Sequence, residues 1–398
     1  MNPTTTAPLP EGSLLLHIGP QKTGSTAIQT AMHESRAELA AQGVLYPGNG
    51  MRPREGGWAV LGINSAVGRP APRIERWETY VKEVQASTLP RICVSNEDFG
   101  RADDAAIERI LAGTGADRTH LVYVARRLDK LLPSHWQERV KSRMTLSYEE
   151  FLHHVLDDPD RDWEARMMWE SHDVGTIIDR WAQHLDRDRI TVIVSDEADR
   201  RFIPNTFEAL LGLSEDTLRP GDTRSNTSLT YTQSEAVRRL NAMARDEGWT
   251  PQQYWRIIQA GAVKALRTST VTGGPKITGL PEWAYEIVAG RAEAQVAAIT
   301  AAGVNVIGDP DLLLLRGNVL PAALPEPIEV VPLDLVADLV KGAVDGDDSL
   351  HERELKAALR QARRAGARAA DGNRSADDLS GRELLRLLGR RTKRRLNR

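Results

Sequence analysis

The chain has one cysteine in 398 residues, so no internal disulfide framework holds it together, and Cys93, set in an apolar run, reads as a core residue. No apolar run approaches the ~18 residues needed to cross a membrane. Met1 to Gly12 carries neither a basic start nor an apolar stretch, so it is expected to be a disordered N-terminus and no signal peptide. The net charge is only −3, which argues against a general nucleic-acid binder. There is no internal repeat and no set of residues at metal-ligand spacing; His153 and His154 form a lone pair without spaced partners. What remains is a globular composition, 41% hydrophobic, enough to bury a sizeable core in one large domain or two.

The pattern that is there alternates strand and helix. Apolar runs predict strands over Leu14–Ile18, Arg91–Ser95, His120–Ala125 and Arg189–Val194. Helical periodicity covers Ser25–Ala41, Ile74–Ala86, Asp104–Leu111, Leu128–Ser142, Val174–Leu185, Asn205–Leu211, Gln233–Arg245 and Trp283–Ala302. This predicts an α/β fold: a parallel sheet flanked by helices in three layers, followed by a helical second half. The α/β domain should span residues 13–318. Pro321, Pro325, Pro327 and Pro332 mark a linker over 319–349, and a basic tail, helical or disordered, follows over 350–398. From Arg382 to Arg398 eight Lys/Arg residues face one acid, Glu383, beside a strip of Leu384, Leu385, Leu387 and Leu388. Such a segment is either a solvated tail or a peripheral contact with an anionic membrane surface.

The chemistry concentrates in Leu14-Leu15-Leu16-His17-Ile18-Gly19-Pro20-Gln21-Lys22-Thr23-Gly24-Ser25-Thr26. A strand runs into a glycine-bounded turn and then into a helix, whose first N–H groups and dipole favour an anion. The spacing from Gly19 to Gly24 fits a Walker A loop, but that loop needs Gly-Lys-Ser/Thr, and here Ser25 follows Gly24 while the lysine sits earlier, at Lys22. The turn suits a 5′-phosphate group and departs from the usual Mg·ATP cradle.

His17 to Thr26 resembles the phosphosulfate-binding loop of the sulfotransferases that use 3′-phosphoadenosine 5′-phosphosulfate (PAPS), above all bacterial members related to carbohydrate sulfotransferases, whose loop reads roughly H-I-G-x-x-K-T-G-T-T. The resemblance implies that Lys22 stabilises charge on the leaving phosphate and that Thr23, Ser25 and Thr26 hydrogen-bond the 5′-phosphate, with no metal required. The family's second motif is a strand ending in arginine with a serine eight residues on, for the 3′-phosphate. Arg126 after Leu121–Ala125 and Ser134 in the following helix match it, with Arg127 as a competitor for Arg126. A third stretch, Arg224-Ser225-Asn226-Thr227-Ser228-Leu229, resembles the family's N-x-S-L segment before a late helix, so Arg224 and Ser228 would close over the nucleotide. A capping box at Thr232 and Glu235 is expected to start that helix.

Transfer to a hydroxyl calls for a base. Glu97 ends the Arg91–Ser95 strand where related sequences carry S-x-E, and ligands bind outside the carboxyl ends of parallel strands. Glu97 is therefore the expected base, with His17 and His135 behind it; its other reading is a structural carboxylate, a partner of Arg126 for instance. The turn-rich insertion from Tyr46 to Pro72 should rim the site. The tryptophans of the second half fit either a core or platforms for sugar rings. The expected activity is sulfuryl transfer from PAPS to a carbohydrate, glycolipid or small-metabolite hydroxyl, in the cytoplasm, where PAPS is made. A P-loop kinase, with Asp196 as its Mg²⁺ ligand, and a non-catalytic nucleotide-binding module are the alternatives.

Overall fold

The computed structural model describes residues 6–64, 70–219, 228–269, 271, 274–277 and 279–346. In chain order, β1 (Leu14–His17) leads through the glycine-bounded loop into α1 (Ser25–Glu34) and α2 (Arg36–Ala41). Next come β2 (Val44–Leu45), α3 (Arg54–Leu61), α4 (Glu75–Ala86), β3 (Arg91–Ser95), a 3₁₀ turn over Glu97–Arg101, and α5 (Asp104–Thr114). They are followed by β4 (Thr119–Ala125), α6 (Leu128–Lys141), α7 (Tyr148–Leu156), α8 (Trp163–His172), α9 (Val174–Trp181), β5 (Ile190–Val194) and α10 (Phe202–Leu211). The remainder is α11 (Tyr231–Asp246), α12 (Pro251–Tyr254), a π-helical stretch over Trp255–Ala262, α13 (Val263–Thr268), α14 (Glu282–Ala301) and β6 (Asn305–Ile307), then a helix over residues 333–346.

The strands form one sheet in the order β2-β3-β1-β4-β5-β6, every pairing parallel. β1 lies between β3 and β4, with Leu14 opposite Ile92 on one side and Thr119 on the other. A parallel strand covered on both faces reads as an unbroken apolar run, and Leu14, Leu15 and Leu16 are each 0% exposed. The two-residue period divides them. Leu14, Leu16, Ile92 and Val94 pack with Trp77, Ile107 and Trp181 on one face; Leu15, Cys93, Val122 and Val124 pack with Ile28, Met32 and Phe207 on the other. The fold is thus α/β, with helices on both faces of a parallel sheet, as the strand–helix alternation predicts. A second core, around Trp136, Phe151, Trp169 and Val288, joins α6, α7 and α8 to α14 from the far end of the chain.

Several boundaries differ. The expected helix Ser25–Ala41 breaks at Ser35, whose hydroxyl donates to the Thr217 carbonyl at 3.1 Å. α11 starts at Tyr231, because the capping box is Thr230 with Gln233; Thr232 and Glu235 are buried, and Glu235 pairs with Arg238 at 2.7 Å. β2 and β6, of two and three residues, are too short to show a period. α7 and α8 are not among the expected helices, although Ser147–Glu150 is a capping box and Asp162 caps α8. Within the segment expected to be disordered, Leu9 is buried and its N–H donates to the Leu210 carbonyl at 2.9 Å. In the expected linker, Leu335 is fully buried against the helical core. The basic tail over 350–398 lies outside the described residues. Among the described residues no helix is long and apolar enough to cross a membrane.

Candidate active site

The loop after β1 is shaped by its own backbone. Gly19 has φ +93°, and a Cβ there would stand 2.7 Å from both Cα and Cβ of Glu97, so the loop and the end of β3 touch only because this residue is glycine. Gly19→Ala should lower stability by about 1–3 kcal/mol, through left-handed strain and overpacking together. Urea denaturation checks this; a midpoint equal to the parent's would mean that the loop and the end of β3 separate freely. Lys22 also lies in the left-handed region, at φ +68°, a conformation that costs a non-glycine residue about 1–2 kcal/mol.

The hydroxyls of Thr23 and Ser25 both donate to the Pro20 carbonyl at 2.8 Å. Their protons hold the loop together, so an anion here would meet other donors. Gly24 precedes α1 without any side-chain cap, and the N–H groups of Ser25 and Thr26 take no acceptor among the described residues. Gly24 and Thr26 are exposed. Uncapped first-turn donors at the positive end of a helix dipole suit a phosphate group.

Lys22 Nζ lies 3.3 Å from Glu138 Oε2, which Lys141 Nζ also approaches at 3.1 Å. Burial pushes the Lys22 ammonium below its usual range; Glu138 opposes that fall, and Lys141 and Arg126 add to it. Burial alone would raise the Glu138 carboxyl, but the two lysines outweigh it and bring it down to about 2. Arg126, at the end of β4, donates from Nη1 to the Lys22 carbonyl at 2.7 Å and grips Glu197 through Nε and Nη2, at 2.5 and 3.0 Å. Arg127 instead pairs with buried Asp129 at 2.6 Å, so of the two arginines Arg126 is the one on the loop. Ser134 lies further along α6, half-buried, its hydroxyl without a partner among the described residues.

Glu97 opens the 3₁₀ turn beyond β3, which Asn96 caps by accepting the Asp98 N–H at 3.1 Å. Its partners are Gln29, whose Nε2 donates to Oε2 at 2.6 Å, and Arg52, whose Nη2 is 3.4 Å from Oε1. Arg126 is not among them. Gln29 also donates to Ser95 Oγ at 3.1 Å, and Ser95 Oγ meets His17 Nδ1 at 2.8 Å. Arg52 is anchored by Asn96 and Asp98, both at 2.7 Å, and Trp58 Nε1 donates to Asp98 at 3.0 Å. The insertion between Tyr46 and Pro72 therefore reaches the site through Arg52 and Trp58. The Glu97 side chain keeps 11% of its surface exposed. His17 and His135 are shut in; burial pushes His17 down to about 3 and His135 well below its usual range. His135 stacks on Phe151.

Ser228 is exposed, and Arg224 lies outside the described residues. Asp196 caps a turn by accepting the Ala198 N–H at 2.8 Å. Among the described residues there is no group of three His, Cys, Asp or Glu side chains that could hold a metal ion. Four side chains at this site are not among those expected from the sequence: Gln29, Arg52, Glu138 and Glu197. Helical spacing marks two of them, since Gln29 follows Ser25 by four and Glu138 follows Ser134 by four.

Among solved structures, the chain is similar to a sulfotransferase from Alicyclobacillus acidocaldarius, at TM-score 0.35 and 12% sequence identity, over 58% of this chain and 95% of that one. No family model matches the chain. No curated protein matches it either.

Proposed function

We propose that this chain moves a sulfuryl group from PAPS to a hydroxyl of a carbohydrate, glycolipid or small-metabolite acceptor. One observation carries the reading: Lys22, Arg126, Glu97 and the uncapped start of α1 meet at the carboxyl ends of three adjacent strands, β3, β1 and β4. Bound there, the donor would supply an activated sulfuryl group on a phosphate leaving group. Lys22 is the cation for the charge that develops on that phosphate. The Ser25 and Thr26 N–H groups face the same phosphate. Three of the five guanidinium N–H donors of Arg126 are engaged in this structure, which leaves two, with the Ser134 hydroxyl, for a 3′-phosphate. Glu97 receives the proton of the acceptor hydroxyl, and Gln29 and Arg52 hold its carboxylate in place.

The donor assignment is tested by calorimetry without Mg²⁺. Charge-assisted hydrogen bonds are worth about 1.5–3 kcal/mol each, so 3′-phosphoadenosine 5′-phosphate should bind at least about tenfold tighter than AMP. Equal affinity for the two would overturn the sulfotransferase reading. Mg²⁺-dependent ATP binding would replace it with a kinase.

A further inference from the structure

Trp163, the first residue of α8, keeps 54% of its surface exposed, while Trp136 and Trp181 are fully buried. Two guanidinium groups lie over its ring, Arg101 at 5.8 Å and Arg139 at 5.5 Å from the centroid, within cation–π range. They come from two parts of the candidate site. Arg101 closes the 3₁₀ turn that Glu97 opens, about 8 Å along it at the rise of such a turn. That turn crosses the end of β1, where a Cβ on Gly100 would stand 3.2 Å from the Ile18 carbonyl. Arg139 is the neighbour on α6 of Glu138, the partner of Lys22. The exposed indole therefore lies between the element that carries the base and the helix that pairs the donor-side lysine.

The two arginines differ in what neutralises them. Arg139 is held by Glu164 in a fork, at 2.7 and 3.2 Å. Arg101 has no carboxylate and no hydrogen-bond acceptor among the described residues, and its Nε is shut off from water without a partner. A guanidinium left unpaired beside an exposed aromatic face lacks an anion and has a ring surface to offer with it.

We propose that Arg101 and Trp163 form an acceptor subsite for a hydroxylated ring that carries an anionic group. The ring lies on the indole, and its carboxylate, phosphate or sulfate lies on Arg101. The hydroxyl presented to Glu97 rests on the sulfuryl-transfer reading; the binding itself does not.

The test is calorimetry on the full chain, both alone and in the presence of 3′-phosphoadenosine 5′-phosphate. The titrants are methyl glucuronoside, glucose 6-phosphate and glucose 6-sulfate, against neutral methyl glucoside. At least one anionic sugar should bind about tenfold or more tightly than the glucoside, the low end of what one charge-assisted hydrogen bond contributes. Arg101→Gln should erase that preference and Arg101→Lys should keep part of it. Trp163→Ala should weaken anionic and neutral sugars alike. A parent protein with no preference for any of the three, or a preference that survives Arg101→Gln, overturns the subsite. The nucleotide titration in the same series separates the two readings. A sugar preference without bisphosphate binding overturns sulfuryl transfer alone, whereas bisphosphate binding without a sugar preference overturns the subsite alone.

Discussion

Lys22→Ala should lower turnover about 10²–10³-fold with every acceptor, the usual cost of removing one donor aimed at charge that develops in a transition state. Lys22 stands in a left-handed loop conformation, with its ammonium against Glu138 and its carbonyl on Arg126. Alanine keeps the backbone and loses only the cation, so thermal melting of the variant should stay close to the parent's. The measurement is kcat with a sugar acceptor and with p-nitrophenol, both of which should fall together. A raised KM with unchanged kcat would instead make Lys22 a cation that binds donor and transition state equally.

Glu97→Gln should separate those two acceptors. A positioned general base contributes about 10²–10⁴-fold, so turnover of a weakly acidic sugar hydroxyl should fall by that order. p-Nitrophenol arrives largely ionised and should react at close to the parent rate. Glutamine still accepts from Gln29 at Oε1, and Arg52 retains Asn96 and Asp98, so the turn beyond β3 should hold its shape. Affinity for 3′-phosphoadenosine 5′-phosphate should not change. If that affinity falls while kcat with the sugar holds, Glu97 is a structural support of the nucleotide loop. The base would then have to be another group, and the enclosed imidazoles of His17 and His135 would first have to be uncovered.

The parallel sheet was legible because each of its long strands is buried on both faces and so writes an apolar run: Leu14 to Leu16, Ile92 to Val94, Leu121 to Val124 and Val192 to Val194. The loop was legible for a related reason. Gly19, Lys22 and Gly24 answer to one another within six residues, and the uncapped end of α1 is a local consequence of where the helix starts. The short edge strands β2 and β6 were not legible, since two or three residues carry no period. Nor was the start of α11, where two overlapping cap signals, at Thr230 and Thr232, differ only in which threonine the core buries.

Sequence alone determined the fold class, the position of the phosphate-suited loop and the order of the charged residues after it, because those depend on neighbours along the chain. Tertiary structure decided what each charge faces. Thr23 and Ser25 turn their hydroxyls onto Pro20, Lys22 meets Glu138 across 116 residues, Arg126 and not Arg127 reaches the loop, and Arg52 arrives from the rim to hold Glu97. Such pairings are set by how the sheet brings distant strand ends side by side, and a side chain's own sequence neighbourhood carries no record of which group will stand opposite it.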